Sequence, residues 1–210
     1  MNAAVGLLVE DEVLASTLLG KVADSQAGID IITARSVKEA VEIAERIALQ
    51  FALLDLNLGV GPSGLDLAQK LRQLHPAIGL VLLTSYSDLR FYSSRPQVPP
   101  GMRILSKGNS LHLNQVFESC LDAAKFPFQP QRTSTPYQQL SDADFELWRL
   151  TAAGRSNGEL AVIFDVGEKA IEKRLHKLNR QLGLDSTAGR SSRVEMVRLF
   201  VSVTGQIPRA

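Results

Sequence analysis

The chain has one cysteine, Cys120, so no internal disulfide can form, and a reducing cytosol is the expected compartment. No apolar run approaches the roughly 18–20 residues of a membrane span, so no membrane partner is expected. The start, Met1-Asn2-Ala3-Ala4, has no basic segment and no cleavable apolar core, which argues against a signal peptide. There is no glycine-rich phosphate loop and no evident base–nucleophile pair, which disfavours an α/β enzyme with a phosphate site.

A strong net charge is also missing. Lys and Arg number 23 against 22 Asp and Glu, a formal charge of +1. The balance hides an asymmetry. Up to Pro127 there are 11 basic and 13 acidic residues; from Phe128 onward there are 12 basic and 9 acidic. An acidic first part (−2) and a basic second part (+3) suit different partners. The change falls at 126–139, a proline-rich polar stretch without periodicity that reads as a linker. The expected domains are therefore 1–125 and 140–210. At 210 residues there is ample chain for two ordinary cores.

What the first part does contain is a series of short apolar runs, each closed by a polar residue. Glu10 and Asp11 follow Val5-Gly6-Leu7-Leu8-Val9, and Asp55 follows Phe51-Ala52-Leu53-Leu54. Thr84 follows the run 78–83, and Lys107 follows the run 102–106. Strands are expected at about 5–9, 29–33, 51–55, 78–83 and 102–105, with amphipathic helices between them. Ser36-x-x-Glu39 is a capping box opening a helix to about Ala48. Further helices are expected at Gly64–Leu74, ended by His75-Pro76, and at Ser110–Lys125. Five strands joined by crossover helices make a doubly wound α/β domain. Ligands of such sheets bind outside the carboxyl ends of the strands, so the topology collects three carboxylates, a hydroxyl and an ammonium at one rim. A carboxylate held there can attack phosphorus. Glu10, Asp11, Asp55 and a backbone carbonyl near Asn57 suit Mg²⁺. Thr84 and Lys107 suit phosphoryl oxygens. Each signal alone has a bland reading as a cap or a solvated charge; the ordered set is what points to phosphoryl transfer.

Leu8-Val9-Glu10-Asp11-Glu12, Leu54-Asp55-Leu56-Asn57-Leu58, Leu82-Leu83-Thr84-Ser85-Tyr86-Ser87-Asp88 and Leu105-Ser106-Lys107 resemble the receiver domain of bacterial two-component response regulators. The resemblance covers roughly residues 1–125 and implies a flavodoxin-like fold of five parallel strands. It also implies Asp55 as phospho-acceptor, Glu10 and Asp11 as metal ligands, Thr84 as switch hydroxyl, Lys107 as phosphate-contacting lysine, and a cognate histidine kinase as partner. Three features depart from the family pattern. Ile104 stands where an aromatic is usual, Pro96, Pro99 and Pro100 interrupt the end of the usual fourth helix, and Gly108 follows Lys107.

From Ser141 the pattern is wholly helical. Ser141 and Ser156 are N-caps, Gly154 ends the first helix, and Asp165-Val166-Gly167 forms a turn. The following helix, 168–182, puts Ile171, Leu175, Leu178 and Leu182 on one stripe. Lys169, Glu172, Lys173, Arg174, His176, Lys177 and Arg180 fall on the remaining surface. A basic helix after a short helix and a turn is the helix-turn-helix arrangement, in which Lys169, Glu172, Lys173, His176, Lys177 and Arg180 are the candidate contacts to double-stranded DNA. The segment 138–204 resembles the LuxR/NarL-type effector domain, carried by Leu140-Ser141, Glu146-Leu147, Ala152-Ala153-Gly154, Glu159-Leu160-Ala161 and Leu182-Gly183-Leu184. That resemblance implies a small all-α domain of four helices, the third reading DNA and the fourth, about 191–203, serving a homodimer. Glu172 stands where relatives carry a DNA-contacting lysine, and 185–190 enlarges the loop before the last helix. The expected whole is a cytoplasmic transcription regulator and not an enzyme. The alternative is a receiver that acts without phosphorylation, as a protein-interaction or ligand-gated module.

Overall fold

β-Branched and leucine-rich runs that must hide both of their faces form the middle of a parallel sheet. In the computed structural model these are β1 (Ala4–Val9), β2 (Ile29–Ala34), β3 (Phe51–Asp55), β4 (Gly79–Thr84) and β5 (Arg103–Ser106), ordered β2-β1-β3-β4-β5 and all parallel. The structure describes residues 3–26, 28–86, 88–93, 96–107, 113–129, 136–184 and 191–204. Two compact units are present, Met1–Gln131 and Arg132–Ala210.

In the first unit, β3 and β4 are buried at every position. Side chains alternate between the faces. Leu7, Val9, Leu54, Leu80 and Leu82 pack with α2 (Val37–Ala44) and α3 (Gly64–Leu74). Leu8, Phe51, Leu53, Val81 and Leu83 pack with α1 (Val13–Asp24) and α4 (Leu113–Lys125). The five expected strands are all found, within a residue or so of their expected ends. The helix expected to run to Ala48 stops at Ala44. The expected start of α4 at Ser110, and Gly108, lie outside the described residues.

Between β4 and β5 the described residues form one short 3-10 turn, Leu89–Phe91, capped by Asp88, whose carboxylate accepts from Arg90 N and pairs with its guanidinium at 2.9 Å. Pro96, Pro99 and Pro100 lack the N–H donors a helix would need there. The residues just after α4, expected as the start of a linker, are packed within the first unit. Gly101 adopts φ +73°, and a Cβ there would strike the backbone of Pro127 and Phe128. Arg72 donates to the carbonyls of Pro100 and Pro127 and lies 4.8 Å from the Phe128 ring centroid.

The second unit is helical: α5 (Asp142–Ala152), α6 (Asn157–Ile163), α7 (Glu168–Gln181) and α8 (Ser192–Thr204). Trp148 is its fully buried centre. Phe145 and Phe200 meet the indole edge-on, at 5.9 and 5.3 Å, and its N–H donates to Met196 O at 3.0 Å. Ser156 and Glu159 close a capping box at the start of α6, and Asp165 takes φ 51° in the turn before α7. The expected stripe on α7 needs correcting. Ile171, Leu178 and Leu182 are buried, Leu175 is only half-buried, and Asn179 is buried at 7% exposure. Arg174, expected on the free basic surface, lies 3.5 Å from Asp144 and 4.8 Å from the Phe164 ring centroid. The loop 185–190 lies outside the described residues. Among the described residues no helix is long and apolar enough to cross a membrane.

Candidate functional site

Three strands deliver their closing residues to one rim of the sheet. Glu10 follows β1, Asp55 ends β3, and Lys107 follows β5. The Lys107 ammonium lies 2.8 Å from Asp55 Oδ1 and 3.0 Å from Glu10 Oε2. Glu10 is 2% exposed. Burial raises its pKa, opposed by the Lys107 hydrogen bond and reinforced by the charge of Asp55. Burial acting alone would lower the lysine's pKa, but hydrogen bonds to Asp55 and Glu10 hold it above the ordinary lysine range.

Asp11 is exposed beside this pair. Glu10, Asp11 and Asp55 each offer a carboxylate oxygen, and the three oxygens lie within 4.8 Å of one another. Hard oxygen donors at that spacing suit a small divalent cation. The carbonyl of Asn57, two residues beyond β3, accepts no hydrogen bond among the described residues. The chain bends tightly here, and Gly64 makes that possible. Its N–H donates to Leu56 O at 2.9 Å, and a Cβ at this position would collide with the carbonyl of Asp55.

Thr84, the last residue of β4, is fully buried. Its carbonyl accepts from Lys107 N at 2.7 Å, tying β4 to the lysine, and its hydroxyl oxygen accepts from Tyr86 N at 3.0 Å. Ile104 is half-buried against the core on the α2–α3 face. Sequence reasoning missed Gly64 and Tyr86 because both act through backbone. Tyr86 also meets Tyr92 edge-on at 5.8 Å. The helix beginning at Gly64 was visible in the sequence, but the carbonyl that the glycine approaches was not.

In the second unit, Lys169, Glu172, Lys173, His176, Lys177 and Arg180 are all exposed on α7. None of the six makes an ion pair or a side-chain hydrogen bond among the described residues. Three are lysines and one is an arginine, against one acid, so the surface is basic with a local interruption at Glu172.

Residues 7–98 match the family described as response regulator receiver domain. The chain is 36% identical over 89 residues to the response regulator protein PilR of Pseudomonas aeruginosa, a match covering 42% of this chain and a fifth (20%) of that protein's length. It is 23% identical over 215 residues to the nitrate/nitrite response regulator protein NarP of Escherichia coli, covering 95% of each chain. Among solved structures, the two-component response regulator RcsB in a DNA complex is similar in fold, with a TM-score of 0.58 at 15% identity, over 97% of this chain and 100% of that one. The five-stranded parallel order of the first unit and its acidic rim agree with the receiver-domain match over residues 7–98.

Proposed function

We propose that the chain is a two-component response regulator of the LuxR/NarL type, with a receiver at 1–125, a linker at 126–139 and a helix-turn-helix DNA-binding domain at 140–210. The observation that carries this reading is the meeting of Glu10, Asp11, Asp55 and Lys107 at one rim. An Asp55 carboxylate oxygen attacks the phosphorus of a phosphohistidine on the partner kinase. The P–N bond breaks, its electron pair returns to the imidazole, and an acyl phosphate forms on Asp55. Glu10, Asp11, Asp55 and the Asn57 carbonyl would hold Mg²⁺, which when bound would offset the charge gathered on carboxylate and phosphoryl oxygens. The Lys107 ammonium moves from its carboxylate partners to a phosphoryl oxygen, and the Thr84 hydroxyl donates to another. The protein is a regulator whose output is transcription, not turnover of a metabolite. It acts in the cytoplasm as a homodimer on double-stranded DNA.

The α7 surface supports the DNA part of this reading. Lys and Arg at 169, 173, 177 and 180 match phosphate contact and base readout in a major groove, while Glu172 suits a cytosine amino group. Full-length relatives named as response regulators support the two-domain arrangement.

The test is incubation with acetyl phosphate and Mg²⁺, followed by DNA selection with the labelled and unlabelled protein. One acid-stable, alkali-labile phosphoryl group is expected on the parent and none on Asp55→Asn. Full labelling of that variant removes Asp55 from the role. The turn at Leu89–Phe91, where relatives carry a fourth helix, together with Ile104, favours a second reading in which the receiver works unphosphorylated through protein contacts. Equal DNA binding by parent and Asp55→Asn under phosphorylating conditions selects that second reading.

A further inference from the structure

The connection from β4 to β5 ties the acidic rim to the far end of the sheet. The two strands are parallel, so the chain must travel back along a whole strand length, from Thr84 at the rim to Arg103. At the rim end, the Thr84 hydroxyl oxygen accepts from Tyr86 N at 3.0 Å. Further along, Gln69 on α3 donates from Nε2 to Gln97 O at 3.1 Å. At the far end, Arg72 in the last turn of α3 donates from Nη2 to Pro100 O at 3.2 Å.

Arg72 grips a second piece of chain at the same point. Its Nη2 also donates to Pro127 O at 3.3 Å, while Nη1 donates to Pro76 O at 3.3 Å. The guanidinium lies 4.8 Å from the Phe128 ring centroid. Gly101 leaves room for this approach, since a Cβ there would strike Pro127 and Phe128. Residues 126–129 are thus clasped against the β4–β5 connection just before the chain leads on to the second unit. Three features make the clasp easy to open. Its hydrogen bonds are longer than the ~2.9 Å typical of N–H donors. The guanidinium Nε is buried without a partner. Phe126 and Phe128 are exposed, so burial of their rings does not hold the segment.

We infer that Arg72 is a latch on the linker, released when Asp55 is phosphorylated, with the 86–101 connection carrying the signal between them. As the Thr84 hydroxyl turns towards a phosphoryl oxygen, Tyr86 N–H must follow its acceptor or lose it. The movement passes along the connection, aided at its start by the edge contact of Tyr86 with Tyr92 at 5.8 Å. Arg72 then cannot reach Pro100 and Pro127 at once, and 126–129 come free. A linker longer by these residues widens the reach of the second unit. The release rests on the phospho-acceptor role proposed above; the clasp itself does not.

Chymotrypsin tests this on the full-length protein, with the products read by mass. The Phe126–Pro127 bond resists the protease because proline follows the phenylalanine. Cleavage at Phe128–Gln129 therefore reads the open clasp, and its rate follows the open population. Arg72→Met keeps the side-chain length and removes the donors. It should be cut about tenfold faster than the parent, with phosphoryl incorporation at Asp55 unchanged. Gly101→Ala should open the clasp from the other side with Arg72 intact. Unchanged amide protection in β3 and β4 separates release from unfolding. Mg²⁺ with beryllofluoride should speed cleavage of the parent about fivefold and leave Arg72→Met and Asp55→Asn as they were. An Arg72→Met protein cut at the parent's rate overturns the latch. If that variant loses protection in β3 and β4, Gly101→Ala decides instead, and cleavage at the parent's rate overturns the latch equally. An unchanged parent rate, while a bound fluorine resonance shows the mimic in place, overturns the coupling to Asp55. If no mimic binds, the phospho-acceptor role fails and the release with it, while Arg72→Met against the parent still decides the clasp.

Discussion

The Lys107 ammonium reaches past β4 to lie 2.8 Å from Asp55 Oδ1 on β3, joining two strands that are not neighbours in the sheet. The same nitrogen is 3.0 Å from Glu10, whose carboxylate is almost wholly buried. One cation thus balances two carboxylates that would otherwise repel each other at the rim.

Removing that cation leaves a buried acid without its partner. Lys107→Met should destabilise the first unit by about 1–3 kcal/mol, towards the lower end because the lysine side chain is a third exposed (32%). Adding Glu10→Gln should recover part of the loss. Denaturant dependence of amide protection in β3 and β4 measures both. An unchanged midpoint for Lys107→Met would show that solvent already screens the pair.

The two units should respond to pH with opposite signs. Burial raises the Glu10 pKa, so the folded state holds that proton more tightly than the unfolded chain. Its contribution is complete below the ordinary value of 4.5 and is lost as pH rises through the folded value. Glu159 is the reverse. Hydrogen bonds from Ser156 N, Arg155 and the Ser156 hydroxyl push it down to about 2, so its contribution is present above 4.5 and lost as pH falls towards 2. Glu10→Gln should flatten the first dependence, read by amide protection, and Glu159→Gln the second, read by Trp148 emission.

Gly64 sits under the carbonyl of Asp55, where a methyl group has no room. Alanine is favoured over glycine inside a helix by about 1 kcal/mol, and on propensity alone Gly64→Ala would stabilise α3. The collision should outweigh that gain. Lower thermal stability of the first unit and reduced phosphoryl incorporation at Asp55 are expected together. A more stable, fully labelled variant would show that the β3–α3 turn adapts freely.

On α7, Lys173→Ala and Lys177→Ala should weaken DNA binding, and truncating a side chain that touches a phosphate should reduce the salt slope by about one unit. Glu172→Lys should raise non-specific affinity and change sequence preference. If all three bind DNA like the parent, α7 is not the reading helix and a protein-binding role for the second unit takes precedence.

Hydrophobic periodicity was enough to locate the five strands, α3 and the first three helices of the second unit, because each depends on which residues must leave water along a local repeat. Ser36, Ser63, Ser141 and Ser156 cap their helices through bonds only three residues away, a range at which sequence is a reliable guide. The polar residues closing the apolar runs were equally plain. Their meeting followed from the rule that parallel strands present their carboxyl ends on one side.

Other features depend on neighbours distant in the chain. Asn179 follows Leu178 on α7, and only the packing of α7 against α5 and α6 buries its carboxamide without a hydrogen-bond partner among the described residues. Arg174 looked like one more cation on a basic helix until Asp144 and Phe164 were brought beside it. Arg72 gathers the carbonyls of Pro100 and Pro127, and no local pattern anticipates that. The sequence by itself determined the order of elements and the chemistry available at the sheet rim, since both follow from local repeats and strand polarity. Tertiary structure alone decided which charges are paired, which glycine is obligatory and which polar group is buried without a partner, because burial and hydrogen bonding are settled by residues far apart in the chain.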